Sequence, residues 1–229
     1  MAKVRYLGHS CFQVETGGKI LIFDPFIRGN ELAADINPDE LKADYILVSH
    51  GHEDHTGDLI SIAKSTGATV LCNWEIHTWL NEKGVAKTHP MNIGGKWNFE
   101  FGTVKMVAAA HSSSLPDGSY GGNPAGFVVQ NPADCFYYSG DTALIMDLEF
   151  IPKTFTLDFA FLPIGDNFTM DAEDASTAAK MIHCNKIIGM HYDTFGFIKI
   201  DHQKAQKIFA NKGVTLTLMN IGQNLDTAL

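Results

Sequence analysis

Residues 49–58 read SHGHEDHTGD, which puts three histidines and three acidic side chains into ten positions, with glycines at 51 and 57. A zinc-binding helix of the His-Glu-x-x-His type needs two imidazoles one turn apart on one face. Here the order is His52, Glu53, Asp54, His55, and that spacing does not match. The segment follows the apolar run YILVS at 45–49, so a turn at a strand end is expected, with Gly51 supplying backbone freedom. In such a turn His50 and His52 point to one centre while Asp54 and His55 point to a neighbouring one.

Working outward, six apolar runs end on a residue able to bind or orient a metal. They are VRYLGH at His9, ILIFD at Asp24, YILVSH at His50, VKMVAAAH at His111, FYYSGD at Asp141 and KIIGMH at His191. Layered α/β proteins gather chemistry at strand ends, because the sheet fixes geometry while the loops supply function. One His in such a place reads as a partly buried group satisfied by the backbone. Six of them, beside the opening stretch, read as a metal-binding cluster.

The runs themselves are short, β-branched or aromatic, and bounded by Gly, Pro, Asn or Asp, as strands are. VRYLG, CFQVE and KILIFD form a meander with a turn at TGGK (16–19), and VKMVAA, AGFVVQ and CFYYS form another. Between and after them, strands YILVS, ATVLC, DFAFLP, KIIGM and VTLTLM alternate with helices at DLISIAKS, EIHTWLNEKG, 171–183 and 202–211. A short helix is expected around Pro38 to Lys42. Meanders and βα units in both halves fit two mixed sheets covered by helices, and no linker or repeat divides the chain, so residues 1–229 are expected to form one domain.

Composition narrows the function classes. The chain has 229 residues, 45% hydrophobic and 19% charged, with 17 basic against 26 acidic side chains and a net charge of -9. Long polyanions are bound by Lys and Arg neutralising phosphates, so nucleic acid is a disfavoured partner. No stretch approaches the roughly 18 apolar residues of a membrane span, and the N-terminus lacks a signal-length apolar run, so the expected setting is cytoplasmic, with no membrane. Cys11, Cys72, Cys135 and Cys184 stand apart without a CxxC pair and read as reduced, packed residues. Nucleotide loops of the GxGxxG or GxxxxGK[ST] kind are absent. His77, His89, His183 and His202 fall outside the pattern, and Trp74, Trp79, Trp97 and Phe127 read as core.

The pattern His-x-His-x-Asp-His at 50–55, followed by His111, Asp141 and His191, resembles the metallo-β-lactamase superfamily. LGHS at 7–10, FDPF at 23–26, GDNFTM at 165–170 and MHYDTF at 190–195 resemble, within it, an uncharacterised metal-dependent hydrolase family related to L-ascorbate-6-phosphate lactonase. The similarity runs from about residue 4 to residue 221 and implies an αββα sandwich with metals in a cleft at one edge. Carried over position by position, it assigns His50, His52 and His111 to a first metal, Asp54, His55 and His191 to a second, and Asp141 as the bridge.

Two divalent ions about 3.5 to 4 Å apart are thereby implied. Imidazole and carboxylate donors without thiolate suit Zn, Mn, Fe or Ni. Such a pair lowers the pKa of a bridging water from about 15.7 toward about 7, giving a hydroxide that attacks a small ester, lactone or phosphoester. Asp54 is assigned a second role as proton acceptor, His9 contacts substrate or leaving group, and Asp24 either orients a ligating imidazole or caps the DPF turn. Asn167 and Tyr192 are further substrate-binding candidates, and the turn-rich segment 112–126 either covers the site or simply connects strands. Competing readings are a phosphodiesterase or nuclease with the same ligands, an iron-dependent oxidoreductase, and a non-catalytic module. The expected partner is a small-molecule substrate, and a homo-oligomer is compatible with the sequence.

Overall fold

The computed structural model describes residues 1–227. Its strands in chain order are β1 (Lys3–Gly8), β2 (Cys11–Thr16), β3 (Lys19–Phe23), β4 (Tyr45–Leu47), β5 (Thr69–Cys72), β6 (Thr88–Pro90), β7 (Lys96–Phe99), β8 (Gly102–Ala108), β9 (Ala125–Gln130), β10 (Cys135–Tyr138), β11 (Phe159–Pro163), β12 (Lys186–Met190), β13 (Thr215–Thr217) and β14 (Asn224–Asp226). The α-helices are α1 (Glu53–Thr56), α2 (Leu59–Thr66), α3 (Trp74–Glu82), α4 (Ala172–Met181) and α5 (His202–Asn211).

Each half of the chain supplies most of one mixed sheet on the same plan, and the last strand crosses to the first sheet. The first has the order β14-β1-β2-β3-β4-β5-β6 and the second β13-β12-β11-β10-β9-β8-β7. In the first, β1 to β3 run antiparallel, and β3 to β6 are joined in parallel through crossovers. In the second, β7 to β10 run antiparallel and β10 to β13 in parallel.

Period-2 alternation sends successive side chains to opposite layers. On β3, Leu21 and Phe23 enter the core between the sheets, whereas Ile22 faces the outer layer. On β11, Phe159 and Phe161 point inward while Ala160 and Leu162 point to the helices. The inter-sheet core is aromatic, with Phe12 and Phe161 at 4.6 Å and Phe23 and Tyr138 at 4.6 Å between ring centroids. Outside the first sheet, Leu59 and Ile62 of α2 and Ile76 and Leu80 of α3 cover Ile22, Ile46 and Val70. Outside the second, Ala175, Ala178 and Ala179 let α4 approach closely, and Phe209 of α5 fills the remaining space. Four layers result, in the order helix, sheet, sheet, helix.

Side-chain caps fix where three helices begin: Asn73, Asp171 and Asp201 accept hydrogen bonds from the backbone N–H groups of Ile76, Asp174 and Lys204. The helix expected around Pro38 is a single 3-10 turn, Pro38–Glu40. Trp79 and Phe127 are core, but Trp74 and Trp97 are 59% and 56% exposed, because one sits on the outer side of the first turn of α3 and the other on edge strand β7. All four cysteines are buried and free. No helix among the described residues is long and apolar enough to cross a membrane.

This plan determines where the chemistry sits. His9 follows β1, Asp24 follows β3, His50 lies beyond β4, His111 beyond β8, Asp141 beyond β10 and His191 beyond β12. The sheets meet there directly, as His191 N–H donates to the His9 carbonyl at 3.1 Å.

Candidate metal centre

Three of these strand-end residues adopt left-handed backbone: His9 (φ 56°), Asp24 (φ 42°) and His191 (φ 58°). Residues other than glycine hold that region at a cost of about 1 to 3 kcal/mol each, and such strain gathers at functional sites. Here it turns each side chain sharply out of its strand into one shared space. Gly140 (φ 59°) completes the approach of the sheets, since a Cβ there would collide with the Ser49 side chain.

The opening stretch forms a loop and then one helical turn, with His52 preceding α1 and Asp54 and His55 within it. His50, His52 and His111 form one donor group, and His9, Asp54, His55 and His191 another, with the ligand atoms of each within 4.8 Å of one another. His50 Nε2 and His52 Nδ1 are 3.0 Å apart. Asp141 Oδ2 stands between the groups, 3.5 Å from His111 Nε2, 3.3 Å from His55 Nε2 and 2.9 Å from His191 Nε2. Two ligands about 2.1 Å from one tetrahedral ion lie ~3.4 Å apart, so these separations suit metal coordination.

A buried polar atom without a partner costs about 1 to 3 kcal/mol, and the centre contains several. His55 Nε2, Asp141 Oδ1 and His191 Nδ1 are buried without a hydrogen bond. A cation at the centre would satisfy His55 Nε2 and Asp141 Oδ1, while His191 meets the centre through its other nitrogen, Nε2, so the residues present fit a metal.

Asp24 organises this arrangement from beneath. Its Oδ1 accepts from Ser49 N at 2.7 Å, and its Oδ2 accepts from the Ser49 hydroxyl at 2.5 Å, the Tyr138 hydroxyl at 2.7 Å and His55 Nδ1 at 2.8 Å. With Nδ1–H committed to the carboxylate, His55 offers Nε2 to the centre. Ser49 Oγ also lies 2.9 Å from His50 Nδ1, so the same carboxylate orients His50 through the serine. Asp24 thus makes the imidazole contact that an orienting role requires. Ser49 and Tyr138 escaped sequence reading: hydroxyls are generic, and Tyr138 lies in a run that reads as core strand.

Electrostatics divide the two groups. Burial, with neighbouring imidazoles adding to it, holds His50 well below the usual histidine range, and burial likewise lowers His52 and His111. These are neutral at pH 7, the form that ligates. For His55 and His191 burial also favours the neutral form, but Asp141 and Asp54 outweigh it, raising His55 strongly and His191 to about 9. Burial pushes Asp54 and Asp141 upward, and the facing imidazolium groups overcome this and hold both well below the usual carboxylate range.

His9 has no exposed side-chain surface. Burial lowers it to about 4, so its Nε2–H donates to Asp54 Oδ2 at 3.0 Å and its Nδ1 faces Thr194 Oγ1 at 2.9 Å. Contact with substrate would require Asp54 or Thr194 to move aside. Tyr192 does not face the cleft: it is 5% exposed, with its hydroxyl near the Met219 carbonyl. Asn167 is exposed in a turn with φ 53°. The segment 112–126 is tied down, with Gly51 N donating to Ser113 Oγ, Asn73 Nδ2 to the Gly121 carbonyl and Trp79 Nε1 to Asp117. Ser112 Oγ reaches 3.3 Å from His52 Nε2 at the rim. His77, His89, His183 and His202 lie outside both donor groups.

Known proteins share the sequence pattern and the fold of this chain. The family model described as a beta-lactamase superfamily domain matches residues 3–191. A protein of Flavobacterium johnsoniae named UPF0173 metal-dependent hydrolase is 51% identical over 224 residues, covering 98% of this chain and 99% of its own. One of the same name from Methylacidiphilum infernorum is 47% identical over 223 residues, with coverage of 97% and 99%. Among solved structures, Igni18, described as a novel metallo hydrolase of the archaeon Ignicoccus hospitalis, superposes with a TM-score of 0.89 at 33% identity, covering 98% of this chain and 97% of that one.

Proposed function

We propose, from the premise that this chain belongs to the β-lactamase superfamily and within it to the metal-dependent hydrolases, that it holds two divalent ions and cleaves a small ester, lactone or phosphoester. The observation that carries this reading is Asp141. Its Oδ2 lies within 3.5 Å of a histidine from each donor group, as a carboxylate shared by two ions must.

His50, His52 and His111 would hold one ion, Asp54, His55 and His191 the other, with Asp141 common to both. Bound metal supplies an acidified water and polarises the oxygen of the scissile group. Asp54, whose side chain is 24% exposed, accepts the proton that the attacking water loses. His9 acts as a positioning residue, its Nε2–H fixing the carboxylate while Thr194 fixes its ring. The Asp24–Ser49 pair keeps His55 and His50 in the tautomers that present Nε2. Zn, Mn, Fe and Ni all suit the donor set.

The test is elemental mass spectrometry of protein purified without a chelating tag, before and after incubation with Mn, Zn, Fe or Ni and desalting. Near two equivalents, dropping below one in Asp141→Ala, together with metal-dependent turnover of lactones or phosphodiesters, is the expected result. Retention of less than one equivalent with every metal would overturn the shared-carboxylate assignment.

A further inference from the structure

On the far side of His9 from Asp54 lies a cavity of about 650 Å³ lined by Glu31, Phe168, Thr194, Phe195 and Phe197, with two glycines. Its connection to the centre is short. Thr194 is the residue that holds His9, and the Phe195 ring centroid lies 5.4 Å from that of His9. Farther out, Phe168 and Phe197 meet edge to face at 6.3 Å while remaining 49% and 78% exposed.

Adjacent phenylalanines left in water along the wall of a cavity mark a surface that binds something apolar. The segment presenting two of them is pinned rather than loose. Asp193 (φ 63°) accepts from Ile200 N at 3.1 Å and from His202 Nε2 at 2.6 Å, and its own N–H donates to the Ile198 carbonyl at 2.8 Å. The backbone that carries Phe195 and Phe197 is therefore set in place before a ligand arrives, which lowers the ordering cost of binding.

Charge sharpens the reading. Among the described residues lining this cavity there is no Lys or Arg, and the single charged group is Glu31. Phosphate recognition relies on Arg or Lys, and a phosphate placed here would meet a carboxylate instead.

We infer that the substrate lies with an apolar, uncharged aryl or alkyl group between Phe195 and the Phe168–Phe197 pair, its scissile bond at the metal centre. The inference rests on the hydrolytic reading above and narrows its substrate class to neutral esters or lactones with an apolar substituent, as against phosphorylated sugars. The reaction is a hydrolysis: water adds to the acyl carbon, the bond to the leaving oxygen breaks, and that oxygen takes a proton to give an acid and an alcohol.

The metal-loaded enzyme is assayed with methyl acetate, phenyl acetate and 4-carboxyphenyl acetate, which share one acyl centre. The kcat/KM of phenyl acetate, divided by its rate constant for hydroxide attack to remove intrinsic reactivity, should exceed that of methyl acetate at least about tenfold. The added carboxylate should lower it about fivefold or more. In Phe168→Ala/Phe197→Ala the phenyl-to-methyl ratio should fall toward one through KM, and in Glu31→Gln the carboxylate penalty should shrink. A corrected ratio near one in the native enzyme, or a preference for the anionic ester, would overturn the inference.

Binding is read separately by calorimetry with two uncharged probes, phenylacetamide and acetamide, on metal-loaded protein. Selective binding of the aryl probe, weakened at least fivefold in the double variant, sustains the aromatic wall even if no ester turns over, in which case the hydrolytic reading alone fails. Equal binding of the two probes overturns the wall. So does a native dimer in sedimentation velocity that Phe197→Ser dissociates while the ester ratios stay the same, for then the rings serve self-association.

Discussion

Asp24 gathers four hydrogen bonds while wholly buried, and two of its partners lead to candidate ligands. Removing its charge in Asp24→Asn should weaken metal binding by about 10- to 100-fold, the usual cost of losing a partner that orients a ligating imidazole. Tyr138→Phe removes one hydrogen bond and should cost only about 1 kcal/mol. Competition against a chromophoric chelator and thermal melting distinguish the two; equal metal affinity in Asp24→Asn and native protein would refute the orienting role. A second residue-scale prediction concerns pH. His191 is raised from 6.5 to about 9 in the folded protein without metal, burial being outweighed by Asp141, and His55 is raised as well. A raised pKa contributes stability fully below the unfolded value, and the contribution disappears as pH climbs through the folded value. Chelated protein should therefore melt at falling temperature from about pH 6.5 to about 9, and metal-loaded protein should not, since metal replaces those protons. At this scale the His and Asp donors were legible because such residues seldom end apolar runs by accident. Ser49, Tyr138 and Thr194 were not, because a hydroxyl gains its role from what packs beside it.

Strands announced themselves wherever both faces are buried. AGFVVQ and KIIGM match β9 and β12 residue for residue, since each sits inside its sheet between two hydrophobic layers. The strands that escaped are β6, β7 and β14, each at the edge of a sheet. Thr88–Pro90 contains a proline, Lys96–Phe99 is largely exposed, and Asn224–Asp226 has three residues and a mostly polar sequence. Such segments become strands through the neighbour they pair with, which no local pattern encodes. The 3-10 helix Met146–Lys153 was missed for a related reason, as Pro152 and a mixed polar surface hide its one buried side. At the junction of β11 and β12, Gly165 packs so closely on the His191 carbonyl that a Cβ would collide with it. Gly165→Ala should cost about 1 to 3 kcal/mol and shift His191, lowering both the urea midpoint and the metal affinity. Native values for both would show that the backbone yields there without consequence.

Seen whole, the molecule is two sheets joined by one aromatic core. Phe161 lies between them with Phe12 at 4.6 Å, Tyr138 at 5.7 Å and Phe23 at 6.4 Å, contacts reaching into both halves of the chain. Phe161→Ala should cost about 3 to 5 kcal/mol, and both sheets should lose stability together. Hydrogen exchange would check this, and protection lost in the second sheet alone would count against a shared core. The fold class was readable in the sequence because meander and crossover patterns recur in each half. The pairing of the last strand was not, since β14 leaves the second sheet's half of the chain to lie on β1, with Lys3 opposite Asp226. That closure sets an order of events on the ribosome. β1 emerges before every other strand and its outer partner after all of them, so a nascent first sheet keeps one flank open until the second sheet's strands have been made. His191 follows every other candidate ligand out of the exit tunnel, so the full donor set exists only once β12 has been made.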